Sequence, residues 1–337
     1  MTLNTPHWSP ETRPFQEVWY LKLNDPGNQR ALWLRFTLLV SHNGFKRVAE
    51  TWAIFFQRNP AKDVTKTALK QTFSIENFSF RAIENGGDGG IQIAQSELTP
   101  TSTKGSIQSK GNTIDWDLKM TANQAHSFNM VPEILSKIKV VKNTAVTVAE
   151  DLRFTGTSKI NGETVSWNLA PGMQGHLSGP KNGHSWTWGH CNCFTDESGN
   201  PAPFVFDGLT ARAQVAGAPT PWLSTFFFLY RGTPYHFNTL WDSLRVRSTH
   251  SYTGWSFQAD RGELSFRGEA RAEHKDFAGV TYEDTNGSLL YCANSKLSNM
   301  KIHVYRNGKL ESTFVSNGNA AFEIVSREKN PYVPLLL

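Results

Sequence analysis

One segment in the second half of the chain carries histidine, tryptophan and asparagine at alternate positions. His184, Trp186, Trp188, His190 and Asn192 follow one another at intervals of two residues. Because successive side chains of a β-strand point to opposite faces, an extended segment brings all five to one face. Imidazole and amide groups need partners when they are buried, and a ligand pocket lined by aromatic rings accommodates such a mixture. The pattern predicts a pocket wall, which Phe194 would continue; a packed strand with satisfied hydrogen bonds is the alternative.

A carboxyl group follows in an apolar stretch. Asp207 lies within Phe204-Val-Phe-Asp-Gly-Leu. Aromatic surroundings favour the neutral form of a carboxyl group, and a neutral carboxyl can donate a proton to an alkene. The π faces of Trp186, Trp188 or Trp255 would stabilise the resulting carbocation. The alternative is structural: Asp207 begins a bend at Gly208 or pairs with Arg212.

Further polar and aromatic residues are candidates for ligand contact. Glu323 is a second possible acid, and each of the others is also compatible with a packing role. Glu17 and Glu50, near Trp19 and Trp52, belong either to a pocket in the first half or, as we expect, to a buried pair with Arg35. The candidate ligand-binding residues are Trp188, His190, Asn192, Phe206, Arg212, Tyr230, Asn238, Trp255, Tyr282 and Asn294.

Metal and nucleotide chemistry find little support. His184 and His190 would lie about 20 Å apart in an extended strand, too far to share a metal ion. Three cysteines, Cys191, Cys193 and Cys292, do not form the paired knuckles of a zinc site. No nucleophile elbow, P-loop, dinucleotide fingerprint or zincin motif occurs, and Gly86-Gly-Asp-Gly-Gly reads as a flexible hairpin loop. We therefore expect no metal site.

The elements that would position these residues are predominantly antiparallel strands. Asn-Gly, the dipeptide most typical of tight hairpins, occurs seven times, beginning at Asn43, Asn85, Asn161, Asn182, Asn286, Asn307 and Asn317. Apolar residues alternate from Leu32 to Val40 and from Trp52 to Phe56, as expected for strands. Only residues 63–69 and 132–140 suggest short helices. The pattern predicts an all-β protein, either a sandwich or a barrel.

The chain is long enough for two domains. Its 337 residues exceed what one small core usually organises. Residues 165–183 lack alternation and are rich in turn formers, so we divide the chain into an N-terminal domain, 1–170, and a C-terminal domain, 171–337. An aromatic content of 12% exceeds what a minimal core requires, which favours aromatic-lined sheets or a pocket.

Charge and hydropathy argue against several partners. The net charge of +5 is spread along the chain without a basic run, so we expect no nucleic-acid binding. The most apolar stretch, Leu223 to Tyr230, is far shorter than the roughly 20 residues of a membrane-spanning helix. Residues 1–16 contain three prolines and no signal-like apolar run. With unpaired cysteines, these features predict a cytoplasmic protein without a membrane span; its oligomeric state is undetermined by the sequence.

Two sequence runs resemble a known group. Trp186-Thr-Trp-Gly-His-Cys-Asn-Cys-Phe and Phe206-Asp-Gly-Leu-Thr-Ala-Arg resemble the centre of the carotenoid 1,2-hydratase, tocopherol cyclase and AttH-like group, and Glu17-Val-Trp-Tyr with Leu32 to Val40 resembles its opening strands. Fungal cyclases of the Diels-Alderase type are similar too. The resemblance implies two tandem lipocalin-like barrels, a ligand site near their junction, and isoprenoid, polyene or polyketide substrates transformed without a cofactor.

The same resemblance suggests catalytic residues. His184-Ser-Trp186 followed by Asp207 is similar to the His-x-Trp element and downstream carboxylate of carotenoid hydratases. Three functions follow as hypotheses: a hydratase or cyclase that protonates a double bond, a carrier of a hydrophobic ligand, and a pericyclic cyclase that acts by shaping its substrate. A shared fold does not choose among them.

Overall fold

A computed structural model describes residues 4–82, 89–132, 134, 142–215 and 218–337. The loop at residues 86–90 and the helix predicted at 132–140 fall largely outside these residues. The described chain is mostly antiparallel sheet. No helix in the described ranges is long and apolar enough to cross a bilayer.

The first sheet has twelve described strands, and all of its neighbouring strands are antiparallel. Its order is β4-β3-β2-β1-β12-β11-β9-β8-β7-β6-β5, and β10 pairs with β11. The strands are β1 Phe15–Asp25, β2 Arg30–Val40, β3 Arg47–Arg58, β4 Val64–Ser74, β5 Phe78–Arg81, β6 Gly90–Ile93, β7 Ser96–Leu98, β8 Ser102–Ser109, β9 Asn112–Gln124, β10 Phe128–Asn129, β11 Thr144–Ile160 and β12 Glu163–Gly179.

The second sheet also has twelve described strands, and a separate small ribbon lies beside it. The main order is β20-β19-β16-β13-β26-β25-β23-β22-β21; β14 pairs with β15 and β26, and β24 with β25. Its strands are β13 Ser185–Cys191, β14 Phe194–Thr195, β15 Pro201–Ala202, β16 Val205–Arg212, β19 Leu223–Tyr230, β20 Thr233–Phe237, β21 Arg247–His250, β22 Gly254–Arg261, β23 Leu264–Arg271, β24 Ala278–Glu283, β25 Leu289–Arg306 and β26 Lys309–Ser326. The ribbon pairs β17 Gln214–Val215 with β18 Ala218–Pro219.

Within the described ranges, helical structure is brief. Helix α1, Leu240–Arg245, begins with a capping box in which the Thr239 side chain accepts from the Asp242 backbone N–H. Two 3-10 turns occupy Ile75–Asn77 and His274–Asp276. The helix predicted at residues 63–69 is wrong: strand β4 begins at Val64 and pairs along its whole length with β3. Sheet pairing outweighs the weak local helix signal there.

Each sheet curls around its own core, which confirms the expected all-β class with two tandem barrels. In the first barrel, β1 to β12, alternate residues from central and outer strands meet in one interior, which includes Trp19, Leu34, Phe36, Ile91 and Trp116. In the second barrel, β13 to β26, phenylalanines dominate the interior.

The two barrels meet through the outer faces of their sheets. One apolar cluster joins Trp33 and Trp52 of the first barrel to Tyr282 and Val325 of the second. Another joins Val18, Tyr20 and Phe128 to Trp188 and Phe227. Strands β1 and β13 are therefore buried on both faces, because one face packs into its own barrel and the other packs into this junction.

Candidate functional site

A cavity of about 690 Å³ lies at the junction. Its first-barrel wall comes from β1, β2 and β12, and includes Val18, Tyr20, Trp33, Arg35 and Leu177. Its second-barrel wall comes from β13, β16, β24 and β26, and includes Trp186, Trp188, Leu209, Tyr282 and Glu323. This volume falls within the roughly 300 to 1,000 Å³ of small-molecule sites, so one drug-sized apolar molecule fits.

The cavity wall is strongly aromatic. Trp186 stacks on Tyr282 with ring planes 6° apart, and Trp188 meets Tyr20 edge-on at 5.7 Å between centroids. Alternation along β13 directs Trp186 and Trp188 to the junction, while Cys191 faces the second-barrel interior. These rings provide flat apolar surfaces and π faces that attract cations.

Arg35 is the charged group of the first-barrel wall. Its Nε donates to Thr37 Oγ1 at 2.9 Å, and its guanidinium lies 4.1 Å from the centroid of the Tyr282 ring. The Trp52 ring is 5.3 Å away on the neighbouring strand. Among the residues that the structure describes, no carboxylate lies within 4.0 Å of its nitrogens. The guanidinium is held in place by rings rather than by an anion.

A buried ion pair forms the opposite part of the wall. Glu323 Oε1 lies 2.8 Å from Lys296 Nζ, which also donates to Asn294 Oδ1 at 2.5 Å. The Lys296 ammonium lies 5.6 Å from the Trp33 ring centroid and 5.4 Å from that of Trp188. Lys296 therefore balances the charge of Glu323 and contacts aromatic rings of both barrels.

Behind Trp188 lies a pair of buried carboxyl groups. The Trp188 indole donates to Asp207 Oδ1 at 2.9 Å, and the Thr147 hydroxyl donates to the other oxygen. Burial raises the pKa of Asp207 to about 6, although the hydrogen bonds from Thr147 and Trp188 act in the opposite direction. Burial and the neighbouring Asp207 raise the pKa of Glu150 well above its usual value. Two buried carboxyl groups next to each other disfavour double ionisation, so this pair binds a proton more readily than an exposed carboxyl group does.

Two polar side chains that follow Trp188, His190 and Asn192, lie beside Asp207 and Glu150 and form one buried layer with them. His190 Nε2 donates to the Glu150 backbone oxygen at 2.9 Å and lies 3.5 Å from a Glu150 carboxyl oxygen. Burial lowers the pKa of His190 well below its usual value, so the imidazole is neutral. Asn192 donates to Asp151 Oδ1 at 2.8 Å and to the Gly172 oxygen at 2.9 Å. This layer therefore connects the two barrels through polar contacts.

The predicted site residues divide into three groups. Those that line the cavity are Trp186, Trp188, Arg212 and Tyr282. Those in the buried layer next to it are Asp207, His190, Asn192 and Asn294. Those outside both are His184, Phe206, Tyr230, Asn238 and Trp255.

The outer group is explained by strand alternation and packing. Phe206 faces the second-barrel interior and stacks on Phe257 at 4.7 Å. Trp255 donates to Ser248 Oγ in the same barrel, and the Tyr230 hydroxyl donates to Glu311. Asp207 and Phe206 are adjacent in one strand and therefore point to opposite faces.

Two further positions depart from the expected wall. His184 precedes β13 and interacts with Ser185 Oγ, and Asn238 donates to the Asn129 backbone oxygen. The expected continuation of the β13 face to Phe194 is wrong, because β13 ends at Cys191 and Phe194 joins the second-barrel interior.

The expected alternative pair of Asp207 with Arg212 does not form. Asp207 receives its hydrogen bonds from Thr147 and Trp188, and Arg212 donates to the Thr220 oxygen.

The expected pairing of Arg35 with Glu17 or Glu50 is wrong. Glu17 points into the first barrel, where it lies 2.8 Å from His176 Nε2, whereas Arg35 points to the junction. Glu50 accepts from the Trp52 indole at 3.1 Å and lies 3.4 Å from Lys70. Arg35 is left facing the cavity.

One group of described side chains has the composition of a metal site. Donor atoms of His7, Glu17 and His176 lie within 4.8 Å of one another. These atoms already take part in hydrogen bonds: Glu17 accepts from the His7 backbone N–H, and His7 Nδ1 lies 2.7 Å from Ser178 Oγ. The cluster lies on the opposite face of β1 from the cavity, so it does not belong to this site.

Sequence reasoning missed Tyr20, Glu150 and Lys296. Lys296 is a charged residue inside a long strand of mostly apolar and small residues, and Glu150 stands beside Asp151 in the apolar run Val146 to Phe154. A charged residue inside such a strand indicates a buried polar site, since a buried charge requires a compensating partner. This signal was available in the sequence.

Comparisons with known proteins support the fold. No family model matches the chain. An uncharacterized protein of Mycobacterium tuberculosis is 23% identical over 303 residues, which cover 87% of this chain and 82% of that protein. Kievitone hydratase from Nectria haematococca aligns with a TM-score of 0.52 and 11% identity, over 92% of this chain and 88% of that one. CghA, solved with Sch210972, aligns with a TM-score of 0.57 and 9% identity, over 93% and 89%. The two-barrel fold implied by the resemblance is therefore confirmed.

Proposed function

We propose that the protein is an enzyme of the hydratase or cyclase type that binds one hydrophobic small molecule in the junction cavity and protonates a double bond of it. The observation that carries this proposal is the pair of buried carboxyl groups, Asp207 and Glu150, directly behind an aromatic cavity wall. Trp188 belongs to both, because its ring lines the cavity and its indole N–H binds Asp207.

The acid becomes accessible to a substrate only when the Trp188 side chain moves. Asp207 is fully buried and does not line the cavity. Contact with a substrate requires the Trp188 indole to leave Asp207, which breaks one hydrogen bond to a neutral carboxyl group, about 0.5 to 1.5 kcal/mol in net terms. Catalytic contacts often form only in the substrate complex, so the burial of Asp207 behind Trp188 is compatible with an acid role.

The proposed step balances within the protein, substrate and water. The π electrons of the substrate double bond form a C–H bond with the carboxyl proton, which leaves a carboxylate and a carbocation. In hydration, water supplies oxygen to the cation and returns one proton to the carboxylate. In cyclisation, an internal double bond or hydroxyl attacks the cation, and the proton lost afterwards returns to the carboxylate. The faces of Trp186, Trp188 and Tyr282 stabilise the cation.

The substrate class that we propose is an isoprenoid, polyene or polyketide-like molecule. The apolar, aromatic walls favour such a molecule over a sugar or nucleotide. Two proteins with the same fold are kievitone hydratase, whose name gives a hydration, and CghA, solved with Sch210972. Their sequence identity to this chain is too low to transfer either reaction.

One observation favours a second candidate. Because Trp188 covers Asp207, the cavity as it stands offers a shaped apolar site without an exposed acid. A carrier, or a pericyclic cyclase that only orients its substrate, needs no more than this. Both alternatives would function without Asp207.

Deuterium labelling separates these functions. Apolar extract of the source organism is incubated with protein in D₂O and analysed by untargeted mass spectrometry. We expect a protein-dependent product that carries one deuterium on carbon, and we expect it to be absent with the variant D207N/E150Q, which retains ligand binding. The exposed aspartate variant D117N serves as the control and should match the parent protein.

The other outcomes contradict an acid role. A product without carbon-bound deuterium that also forms with D207N/E150Q identifies a shape-based cyclase. A bound molecule that is recovered unchanged identifies a carrier.

A further inference from the structure

We infer that Arg35 binds an acidic oxygen of the ligand, so that the ligand is an apolar molecule with an anionic head group such as a carboxylate or an enolate. This inference rests on the proposed binding function of the cavity and extends it to the chemistry of the ligand. It does not depend on protonation by Asp207.

The first argument is an unbalanced charge. Arg35 is 8% exposed and lines the cavity, yet no carboxylate of the described chain lies within 4.0 Å of its nitrogens. Its described hydrogen bond is the one from Nε to Thr37, which leaves both terminal amino groups without a protein acceptor among the described residues. A cation removed from water without a partner is costly, so an anion that enters the cavity gains a strong interaction.

The second argument is the fixed orientation of the guanidinium. The Thr37 hydroxyl holds one edge, and the Tyr282 ring lies 4.1 Å from the guanidinium carbon. A guanidinium fixed on an aromatic face keeps its remaining N–H groups free for a planar, bidentate acceptor. A carboxylate or a delocalised enolate has that geometry.

The third argument is the charge of the rest of the wall. Among the described residues that line the cavity, the carboxylate is that of Glu323. Its charge is balanced by Lys296, whose Nζ lies 2.8 Å from Glu323 Oε1. Arg212, Lys142 and Lys181 also line the cavity. The wall as a whole therefore carries excess positive charge, which favours an anionic ligand and its approach.

Matched probes test the inference without knowledge of the natural ligand. Retinoic acid and retinol share one polyene body and differ in carboxylate against hydroxyl, and each is titrated by quenching of tryptophan fluorescence. We expect the parent protein to bind retinoic acid more tightly by on the order of ten- to a hundredfold, the range of hydrogen bonds to a charged group. The comparison needs no variant and is unaffected by folding defects.

Variants assign the preference to Arg35. R35M should remove most of the preference, so that the ratio of retinoic acid affinity to retinol affinity approaches one, whereas R35K should restore part of this ratio as a point charge. The control R30M alters another arginine on a tryptophan ring, 5.4 Å from Trp167 and outside the cavity, and should change neither affinity.

Each remaining outcome contradicts a specific proposal. Equal affinity of the parent protein for both probes, or an equal loss of both in R35M, would overturn anion recognition and leave the hydrophobic site intact. Failure of the parent protein to bind either probe would overturn the proposed binding function as well.

Discussion

Replacement of Asp207 by asparagine tests whether this carboxyl group holds a proton in the folded protein. Asparagine has nearly the same shape and keeps an oxygen that can accept from the Trp188 indole. It cannot ionise. The variant therefore removes the pH dependence contributed by Asp207, in addition to a constant change from the altered bond to Thr147.

The expected magnitude follows from the shifted pKa. Burial raises the pKa of Asp207 from 3.8 in the unfolded chain to about 6 in the fold. The folded state then binds more protons than the unfolded state between these values, so stability from this group is full below about pH 4 and falls as pH rises through 6. The complete loss is about 3 kcal/mol, of which roughly half falls between pH 5 and pH 8.

Urea unfolding of parent and D207N at pH 5, 6, 7 and 8 measures this difference. The stability of D207N relative to the parent should increase by about 1 kcal/mol across the series. Comparison of E150Q with D207N/E150Q over the same pH values removes the coupled titration of Glu150. The control variant D117N alters an exposed aspartate and should follow the parent at every pH. Parallel curves for parent and D207N would refute a protonated Asp207 and, with it, the proposed acid.

Three further perturbations have defined outcomes. W188F removes the indole donor that stabilises charged Asp207, so the pKa of Asp207 should rise further and the free energy of unfolding at pH 8 should fall by about 1 to 3 kcal/mol. G175A adds a methyl 2.2 Å from an aromatic ring of the cavity wall, and should lower the melting temperature and weaken retinol binding. K296M leaves Glu323 buried without its partner and should cost about 3 to 5 kcal/mol in urea unfolding, with partial recovery in K296M/E323Q.

Each of these perturbations has a matched comparison. G27A adds a methyl that meets only an ordinary contact at 3.6 Å and should leave melting and binding unchanged. An unchanged pKa of Asp207 in W188F would contradict the direct bond between the two residues. A stability of K296M/E323Q no higher than that of K296M would show that the lost ammonium acts through packing rather than through charge.

The strand pattern was predictable because local chemistry determines it. Asn161-Gly162 and Asn307-Gly308 both have positive φ at each residue and join consecutive paired strands, as the tight-turn signal predicts. Leu34 and Phe36 face the first interior, as alternation requires. Asn317-Gly318, however, lies inside β26, where the same dipeptide accompanies an irregular pairing.

The candidate site was only partly predictable because both faces of the central strands are buried. Alternation grouped Trp186 with Trp188 and both line the cavity, but it cannot tell a cavity face from a packed interior when each is apolar. Phe206 and Trp255 were therefore assigned to ligand contact although they fill the second barrel. The proximity of Glu150 to Asp207 arises from the docking of two sheets, which no local pattern encodes.

The location of the cavity between the barrels makes the ligand a link between folding units. Each barrel supplies one wall, so a bound molecule contacts both and is released when they separate. A ligand at a hundred times its Kd would then stabilise the docked arrangement by about 2.7 kcal/mol, while isolated barrels would gain nothing. Occupancy should consequently merge the unfolding of the two barrels into one cooperative transition.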